Sequence, residues 1–382
     1  MRSFALLLLL TACGPLTPKG TAPQGLKCDR VLIPPVSLAE TLATVQAGDC
    51  VILPSGTYEG SFVLPEDVSL AASDRAAVTL TGGDPVLTVR GGPRSIVQGI
   101  RVLASTGGGI AIEPGPVALI GVTVSGSQKS AVTSTCTRPD CDSREVVLTD
   151  CELTQSAVGL RSIGARVRVE GGRIAEQTGQ SLSAGSGVVA SAGARLTLHG
   201  VTIEGNQNIG VLIDGAATRA TLDGCTVKDN LGRGVWAQGQ TAAAGEATVT
   251  VSGGEVSGNA LMGIGARDST GLVIRDVTVQ DTRAVREPID ISTFEEIGDG
   301  IALFTGTTSA TIENVISRRN ARAQLLADGC GQGVSVAGAT VSGGRYRVVV
   351  QRTVVPIVVE PTLIDAPGAD LAVRAGAIEL AP

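Results

Sequence analysis

The chain has 382 residues, with 30 basic and 36 acidic side chains and a formal net charge of −6. This excess of negative charge argues against a nucleic-acid-binding protein, because such proteins present a basic surface to the phosphates. Hydrophobic residues make up 43% of the chain but aromatic residues only 2%, and there are 51 glycines. A core must therefore be built from Val, Ile, Leu and Ala, which suits short strands stacked in a narrow space.

The first 13 residues have the composition of a targeting segment. Arg2 precedes an apolar run that is too short to span a bilayer. The run ends in Leu10-Thr-Ala-Cys13, which resembles the lipobox of bacterial lipoproteins, in which the cysteine is acylated. We predict a signal peptide over 1–13 and a lipid membrane anchor at Cys13; an ordinary signal peptide with an incidental cysteine is the alternative. Pro15, in place of an Asp, favours the outer membrane of the cell envelope over the inner one.

The next segments predict a tether and then one folded domain. Residues 14–27 are rich in Gly, Pro and Thr and lack an apolar period, which indicates a flexible tether. A single domain is predicted over 28–382, because a solenoid can hold a chain of this length in one unit. At its start, Ser37-Leu-Ala-Glu40 has the capping-box pattern of a short amphipathic helix that ends near Gly48. We expect this helix to cover the open first coil.

Cysteine spacing suggests disulfides rather than a zinc site. Cys28 and Cys50 bracket the first folded segment, and Cys136 and Cys141 flank a turn-forming Thr-Arg-Pro-Asp sequence. These are the candidate pairs, while the CxxC spacings of a zinc ribbon are absent. If Cys13 carries lipid, seven of the 8 cysteines remain, so at least one stays unpaired within the chain. We expect that one to be buried.

A repeating pattern runs from about Gly99 onward. Its clearest copies are Val201–Asn206, Cys225–Asn230, Gly254–Asn259 and Val315–Asn320, and successive repeats begin 21 to 38 residues apart. The apolar residues alternate over short runs broken by Gly, which predicts strands rather than helices. Short strands at this period, without hairpin turns between them, predict coils stacked in parallel about 4.8 Å apart. The predicted fold is all-β: a single-stranded right-handed parallel β-helix, a solenoid, with a short N-terminal capping helix.

Four asparagines end the clearest repeats, where each strand must turn. Stacked amides can bond to one another and to turn backbone, each bond contributing about 1 kcal/mol. We therefore predict a structural ladder rather than a catalytic role for Asn206, Asn230, Asn259 and Asn320. Thr282 and Gly344 take the corresponding place in other coils, so the ladder is interrupted.

The segment after the helix carries a family resemblance. Gly48-Asp-Cys-Val-Ile-Leu-Pro-Ser-Gly-Thr-Tyr58 resembles the opening of the pectate-lyase-like β-helix superfamily, and with the repeats the resemblance covers about Leu38 to Pro367. It implies the fold but little chemistry, because that superfamily holds lyases, hydrolases, epimerases and non-catalytic surface proteins.

The resemblance also implies where a ligand would lie, since a sugar polymer in this superfamily usually follows the outside of one sheet. Alternation along the strand after each Asn turn predicts that Leu212, Trp236, Gly265 and Ala302 point outward. The candidate ligand patch, here called the Trp236 patch, consists of Asp214, Trp236, Gln238, Arg267, Asp268, Asp299 and Phe304.

The longest repeat interval adds an acidic loop beside this patch. Arg283 to Asp299 includes Glu287, Asp290, Glu295 and Glu296. Oxygen ligands of this kind suit Ca²⁺ or the placement of an acidic sugar, so Ca²⁺ is a candidate cofactor. The alternative is a solvated loop with local ion pairs.

Two functional hypotheses follow. The paired Asp motifs and the Gly-His-Gly segment of polygalacturonase-like hydrolases are missing, and the sole histidine, His199, is expected at the surface or in a turn. We therefore favour a monomeric, non-catalytic surface or periplasmic lipoprotein that binds glycan or another envelope component. The alternative is a polysaccharide lyase or glycoside hydrolase, in which Arg267 would act as base with Ca²⁺ at Asp214, Asp268 or Asp299, as the resemblance to pectate lyases implies.

Overall fold

The computed structural model describes residues 26–33, 37–73, 77–104, 106–138, 140–179, 183–243, 246–288 and 294–353, and the backbone of four later strands between 357 and 380. Cys13 and Asp290 lie outside the described residues, as do the side chains of Glu287 and Glu295. Within the described ranges the chain consists almost wholly of short strands, with one α-helix, α1 (Leu38–Leu42), and one 3₁₀ turn at Cys141–Ser143.

The strands form three parallel sheets, and each coil contributes one strand to each sheet. Sheet A contains β1 (Arg30–Leu32), β2 (Asp49–Leu53), β5 (Ser69–Ala72), β8 (Ile96–Gln98), β11 (Val117–Ile120), β14 (Glu145–Thr149), β17 (Arg166–Glu170), β20 (Arg195–His199), β23 (Arg219–Asp223), β26 (Val249–Ser252), β29 (Leu272–Arg275), β33 (Thr311–Glu313), β36 (Ser335–Ala337), β39 (Ile357–Val359) and β42 (Ile378–Leu380).

Sheet B follows sheet A in each coil. It contains β3 (Gly56–Glu59), β6 (Val78–Thr81), β9 (Arg101–Leu103), β12 (Thr123–Ser125), β15 (Glu152–Thr154), β18 (Arg173–Ala175), β21 (Thr202–Glu204), β24 (Thr226–Lys228), β27 (Glu255–Ser257), β30 (Thr278–Gln280), β34 (Ile316–Arg318), β37 (Thr340–Ser342) and β40 (Leu363–Ile364).

Sheet C completes each coil. It contains β4 (Phe62–Leu64), β7 (Leu87–Val89), β10 (Ile110–Ile112), β13 (Ser130–Thr135), β16 (Val158–Ile163), β19 (Ser186–Ser191), β22 (Val211–Asp214), β25 (Val235–Gln238), β28 (Leu261–Arg267), β32 (Phe294–Leu303), β35 (Ala323–Asp328), β38 (Tyr346–Gln351) and β41 (Ala372–Arg374). One further strand, β31 (Val285–Pro288), pairs antiparallel with the first half of β32.

The register stacks like residues on like residues. Leu196 of β20 lies beside Ala220 of β23, and Leu198 lies beside Leu222. These residues are buried in one continuous lumen core of Val, Ile, Leu and Ala that runs through the coils. Alternation sends the residues between them outward, so each sheet has a buried inner face and an outer face available for function. The prediction of a right-handed parallel β-helix is confirmed.

A polar ladder lines the turn between sheets B and C. Asn206 Nδ2 donates to Asn230 Oδ1 at 2.8 Å, and Asn230 Nδ2 donates to Asn259 Oδ1 at the same distance. The backbone N–H groups of Asn206 and Asn230 donate to the same two oxygens. Further along, the backbone N–H of Thr282 donates to Asn320 Oδ1. All five residues are buried, so the amides satisfy backbone groups that would otherwise be unpaired.

The glycine that follows each ladder residue makes room for the amides. A Cβ at Gly234 would lie 2.8 Å from Asn259 Nδ2 and 2.5 Å from Gly263 O. Gly210 meets Asn230 Nδ2 in the same way, at 2.9 Å. The repeated Asn and Gly of the sequence are therefore one packing unit.

The first coil is closed as the sequence predicts. Ser37 Oγ accepts from the backbone N–H of Glu40 at 3.2 Å, which starts α1, and Leu38 and Leu42 are buried in the lumen core. Disulfides join Cys28 to Cys50 and Cys136 to Cys141. The described residues contain no helix that is long and apolar enough to cross a membrane.

Candidate functional site

The outer face of sheet C carries the stripe that alternation points outward. In the register, Leu212 lies beside Trp236, Trp236 beside Gly265, and Gly265 beside Ala302. Leu212, Trp236 and Ala302 belong to a second apolar cluster, separate from the lumen core, that also contains Met262. They point outward but are buried, with 8%, 7% and 0% of their surface exposed.

This burial corrects the expectation that Trp236 is an open sugar-stacking platform. The ring lies over Gly265, where a Cβ would come within 2.6 Å of it. Phe304 packs at a centroid distance of 5.9 Å, and the guanidinium of Arg233 lies 4.5 Å from the ring centroid. Residues on neighbouring coils thus cover the indole, and sequence alternation cannot show such coverage.

The polar members of the Trp236 patch form a linked row. Trp236 Nε1 donates to Gln238 Oε1 at 2.7 Å, and Gln238 Nε2 donates to Asp214 Oδ1 at 3.0 Å. Arg267 lies beside Gln238 in the register and is exposed together with Asp268, and Arg267 Nε lies 3.9 Å from Asp268 Oδ2. This row is the accessible part of the patch.

Asp299 is not part of the accessible surface, which corrects its place in the patch and among the proposed Ca²⁺ ligands. Its side chain is fully buried, and it receives two bonds from Arg322: Nε to Oδ1 at 2.8 Å and Nη2 to Oδ2 at 2.6 Å. The backbone N–H of Ala323 also donates to Oδ1. Both carboxylate oxygens are therefore engaged in holding β32 to β35.

The acidic loop is in part an antiparallel hairpin. Val285 pairs with Ile297 and Arg286 with Glu296, so β31 folds back along the start of β32. In the portion of the chain that the structure describes, no group of three or more His, Cys, Asp or Glu side chains is placed to hold a metal ion. His199 is exposed at the end of β20, with Nδ1 3.0 Å from Asp223 Oδ2, and lies on sheet A, away from the patch.

The same face of sheet C bears a groove that the sequence reasoning missed. It encloses about 730 Å³ and is open to solvent. Its polar lining consists of Ser127, Gln128, Lys129, Ser130, Thr133, Gln155, Arg161 and Thr178. We call it the Arg161 groove.

Two cations are held in place in the Arg161 groove. Arg161 Nε donates to Ser130 Oγ at 3.3 Å and Nη2 to Ser183 Oγ at 3.2 Å, while Lys129 forms an ion pair with Asp84. Arg161 occupies the outward register position beside Val189, which in turn lies beside Leu212. Three strand spacings, about 14 Å, therefore separate Arg161 from Trp236 along one stripe.

One sequence signal could have found this groove. Arg161 stands in an otherwise apolar strand at an outward position, and Thr133 precedes it in the register of β13. The groove itself also needs the loop at Thr178, whose position no local pattern fixes.

Comparison with known proteins agrees with the geometry. Residues 98–282, just under half of the chain, match the family described as right handed beta helix region. No curated protein sequence matches the chain.

Several solved structures are similar in fold. The A-module of the mannuronan C-5 epimerase AlgE6 from Azotobacter vinelandii is 14% identical, over 89% of this chain and 93% of that chain, with a TM-score of 0.51. The Dettilon tailspike protein is also 14% identical, over 87% of this chain and 62% of that one, with a TM-score of 0.49. A polygalacturonase from Erwinia carotovora is 12% identical, over 95% and 98% of the two chains, with a TM-score of 0.42. At these identities the likeness is one of fold alone.

Proposed function

We propose, from the right-handed parallel β-helix fold that this chain shares with those structures, that it is a non-catalytic glycan-binding lipoprotein of the cell envelope. A polysaccharide would lie along the outer face of sheet C, from the Arg161 groove to the accessible row of the Trp236 patch. Acylated Cys13 would hold the monomer on the membrane, in the outer membrane of the envelope, with residues 14–27 as the tether.

The single observation that carries this proposal is the Arg161 groove. Its volume falls within the range of small-molecule sites, roughly 300–1,000 Å³. Its hydroxyl, amide and cationic groups match the hydroxyls and carboxylates of sugars. Because Trp236 is covered, polar contacts rather than aromatic stacking would supply most of the affinity.

The lining of the groove favours binding over cleavage. Glycoside hydrolysis uses two carboxyl groups that flank the scissile bond. Among the described residues that line the Arg161 groove, none is a carboxylate. Asp299 is neutralised by Arg322, and Asp214 accepts from Gln238.

A lyase or hydrolase is the alternative, and one contact favours it. Arg267 is exposed beside Asp268, so a base and a carboxylate lie together at the end of the patch. Ca²⁺ bound by Asp214 or Asp268 belongs to this alternative.

The experiment measures binding and cleavage on the same purified full-length protein. We expect neutral or acidic polysaccharides in a panel to bind without release of shorter products, with or without a chelator. Arg161→Ala should weaken binding about tenfold, because it removes a charge-assisted contact. Arg101→Ala, the same change on exposed β9 of sheet B, is the control.

Three results would contradict the proposal or its parts. Chelator-sensitive cleavage that is lost in Arg267→Ala would establish the lyase instead. Binding that is unchanged in both Arg161→Ala and Arg267→Ala would show that sheet C is the wrong face. A Cys13→Ser variant that still partitions with membranes would refute the lipid anchor.

A further inference from the structure

The outer face of sheet A bears a column of three arginines on successive coils. Arg166 of β17 lies beside Arg195 of β20, and Arg195 lies beside Arg219 of β23. Neighbouring strands are about 4.8 Å apart, and like charges directly opposite one another destabilise a sheet. A column of this kind has a cost in stability unless an anion lies on it.

A column of hydroxyls runs alongside. Thr197, Thr221 and Thr250 lie in register on β20, β23 and β26. Each of the first two is two residues after an arginine of the column, so both columns point to the same side of the sheet. The residues between them, such as Leu196 and Ala220, belong to the lumen core, so both columns face away from the core.

The two columns line one open groove, here called the arginine groove. It encloses about 600 Å³, and its charged lining consists of Arg166, Arg195, Arg219 and Glu246. Three cations and one carboxylate leave this lining positive in a chain whose net charge is −6.

Acidic side chains occupy the two ends of the arginine column. Glu145 Oε1 accepts from Arg166 Nε at 3.0 Å, and Glu246 Oε2 lies 3.8 Å from Arg219 Nη2. Arg195 stands between two cations in the register and is exposed. The middle of the column is thus the place where an added carboxylate would gain most.

We propose that the arginine groove binds an acidic polysaccharide, with sugar carboxylates on the arginine column and sugar hydroxyls on the threonine column. Arginine binds carboxylates through paired hydrogen bonds, and threonine hydroxyls both donate and accept. A nucleic acid fits less well, because the described lining holds no aromatic side chain for base stacking. The site lies on a different sheet from the Arg161 groove and does not depend on it.

The test uses two forms of one ligand on the full-length protein. Oligogalacturonate carries a carboxylate on each sugar, while its methyl ester keeps the hydroxyls and loses the charge. We expect the acid form to bind and its affinity to fall as salt is raised. Arg195→Gln should weaken binding of the acid form about tenfold or more, and Arg195→Lys less, because Lys keeps the charge but not the paired geometry.

Two controls separate binding from folding and from net charge. Arg101→Gln makes the same charge change on sheet B and should leave the affinity unchanged. Urea unfolding of Arg195→Gln shows whether the variant is folded, and Thr221→Val, close to isosteric, should weaken binding severalfold without removing any charge.

Each contrary outcome is distinct. Equal affinity of wild type and Arg195→Gln for the acid form overturns the proposal, as does acid-form binding that is lost only in Arg161→Ala. Tight binding of single-stranded DNA that is lost in Arg195→Gln would make the groove a phosphate site and also overturn it. Failure of Arg161→Ala to affect any glycan bears on sheet C alone and leaves the arginine groove standing.

Discussion

At the scale of single residues, the buried polar groups of the turn between sheets B and C are fully committed to the fold. The ladder extends beyond the four asparagines, because Gln177 Oε1 accepts from Ser156 N and Asn206 Oδ1 accepts from Gln177 N. Ser156 and Gln177 replace Asn where the side chain still reaches the next coil. The sequence pattern showed only the Asn copies.

Asn230 is the central test of the ladder. Asn230→Ala removes an acceptor for Asn206 and a donor for Asn259, and leaves their buried polar groups unpaired. We expect a loss of about 2–4 kcal/mol in the free energy of unfolding, measured in urea. Gln207→Ala removes an exposed neighbouring amide with one bond to Gly179 N and should cost less than about 1 kcal/mol. Equal losses in the two variants would show that the ladder adds no special stability.

The unpaired cysteines are also structural. Cys151, Cys225 and Cys330 are buried, and each Sγ donates to a backbone carbonyl oxygen. Burial raises the pKa of the Cys151 and Cys330 thiols to about 11, so they stay protonated at neutral pH. The expectation that a leftover cysteine is buried holds for all three.

At the scale of elements, the hairpin of β31 and β32 shows how an apparent ligand residue becomes an anchor. Asp299 follows the acidic loop in sequence and therefore resembles a metal ligand. In the fold it meets Arg322, which is 23 residues away, and both partners are nearly excluded from solvent. A buried carboxylate requires such a partner, because its desolvation is costly.

Removing that partner should be strongly destabilising. Arg322→Ala leaves the Asp299 charge buried, and we expect a loss of about 3–5 kcal/mol in urea unfolding. The double variant Arg322→Met with Asp299→Leu should recover most of it, because neither charge remains. Arg90→Ala breaks an exposed pair with Glu113 and should cost less than about 1 kcal/mol. A small effect of Arg322→Ala would mean that solvent reaches Asp299.

At the scale of the whole molecule, ion pairs are spread over the outer faces. Hydrogen bonds from Arg30, Arg173 and Arg319 lower the pKa of Asp49, Glu204 and Asp281 respectively. A carboxyl group with a lowered folded-state pKa stabilises the fold fully above its unfolded pKa. That stabilisation is lost as the pH falls through the folded value.

We therefore expect the solenoid to be most sensitive to acid below about pH 4, where these carboxyls take up protons. Thermal unfolding at constant ionic strength should show a steep fall in midpoint over that range. Arg173→Gln removes the main cause of the lowered Glu204 pKa, so part of the fall should move to higher pH. A midpoint that is flat down to pH 2 would show that these pairs contribute nothing.

The sequence by itself determined the solenoid, its capping helix and its Asn turns. Each of these depends on local or periodic information: the alternation of apolar residues, a capping box within four residues, and an amide that recurs at the same place in each repeat. Alternation also gave the correct outward direction of Leu212 and Trp236.

Only the tertiary structure decided what those outward residues meet. Phe304 and Arg233 cover Trp236, Arg322 neutralises Asp299, and the loop at Thr178 completes the Arg161 groove. The arginine column likewise exists only in the register of three coils. Each of these contacts joins different coils, and the register and loop lengths that set them are properties of the stacked fold rather than of any local pattern.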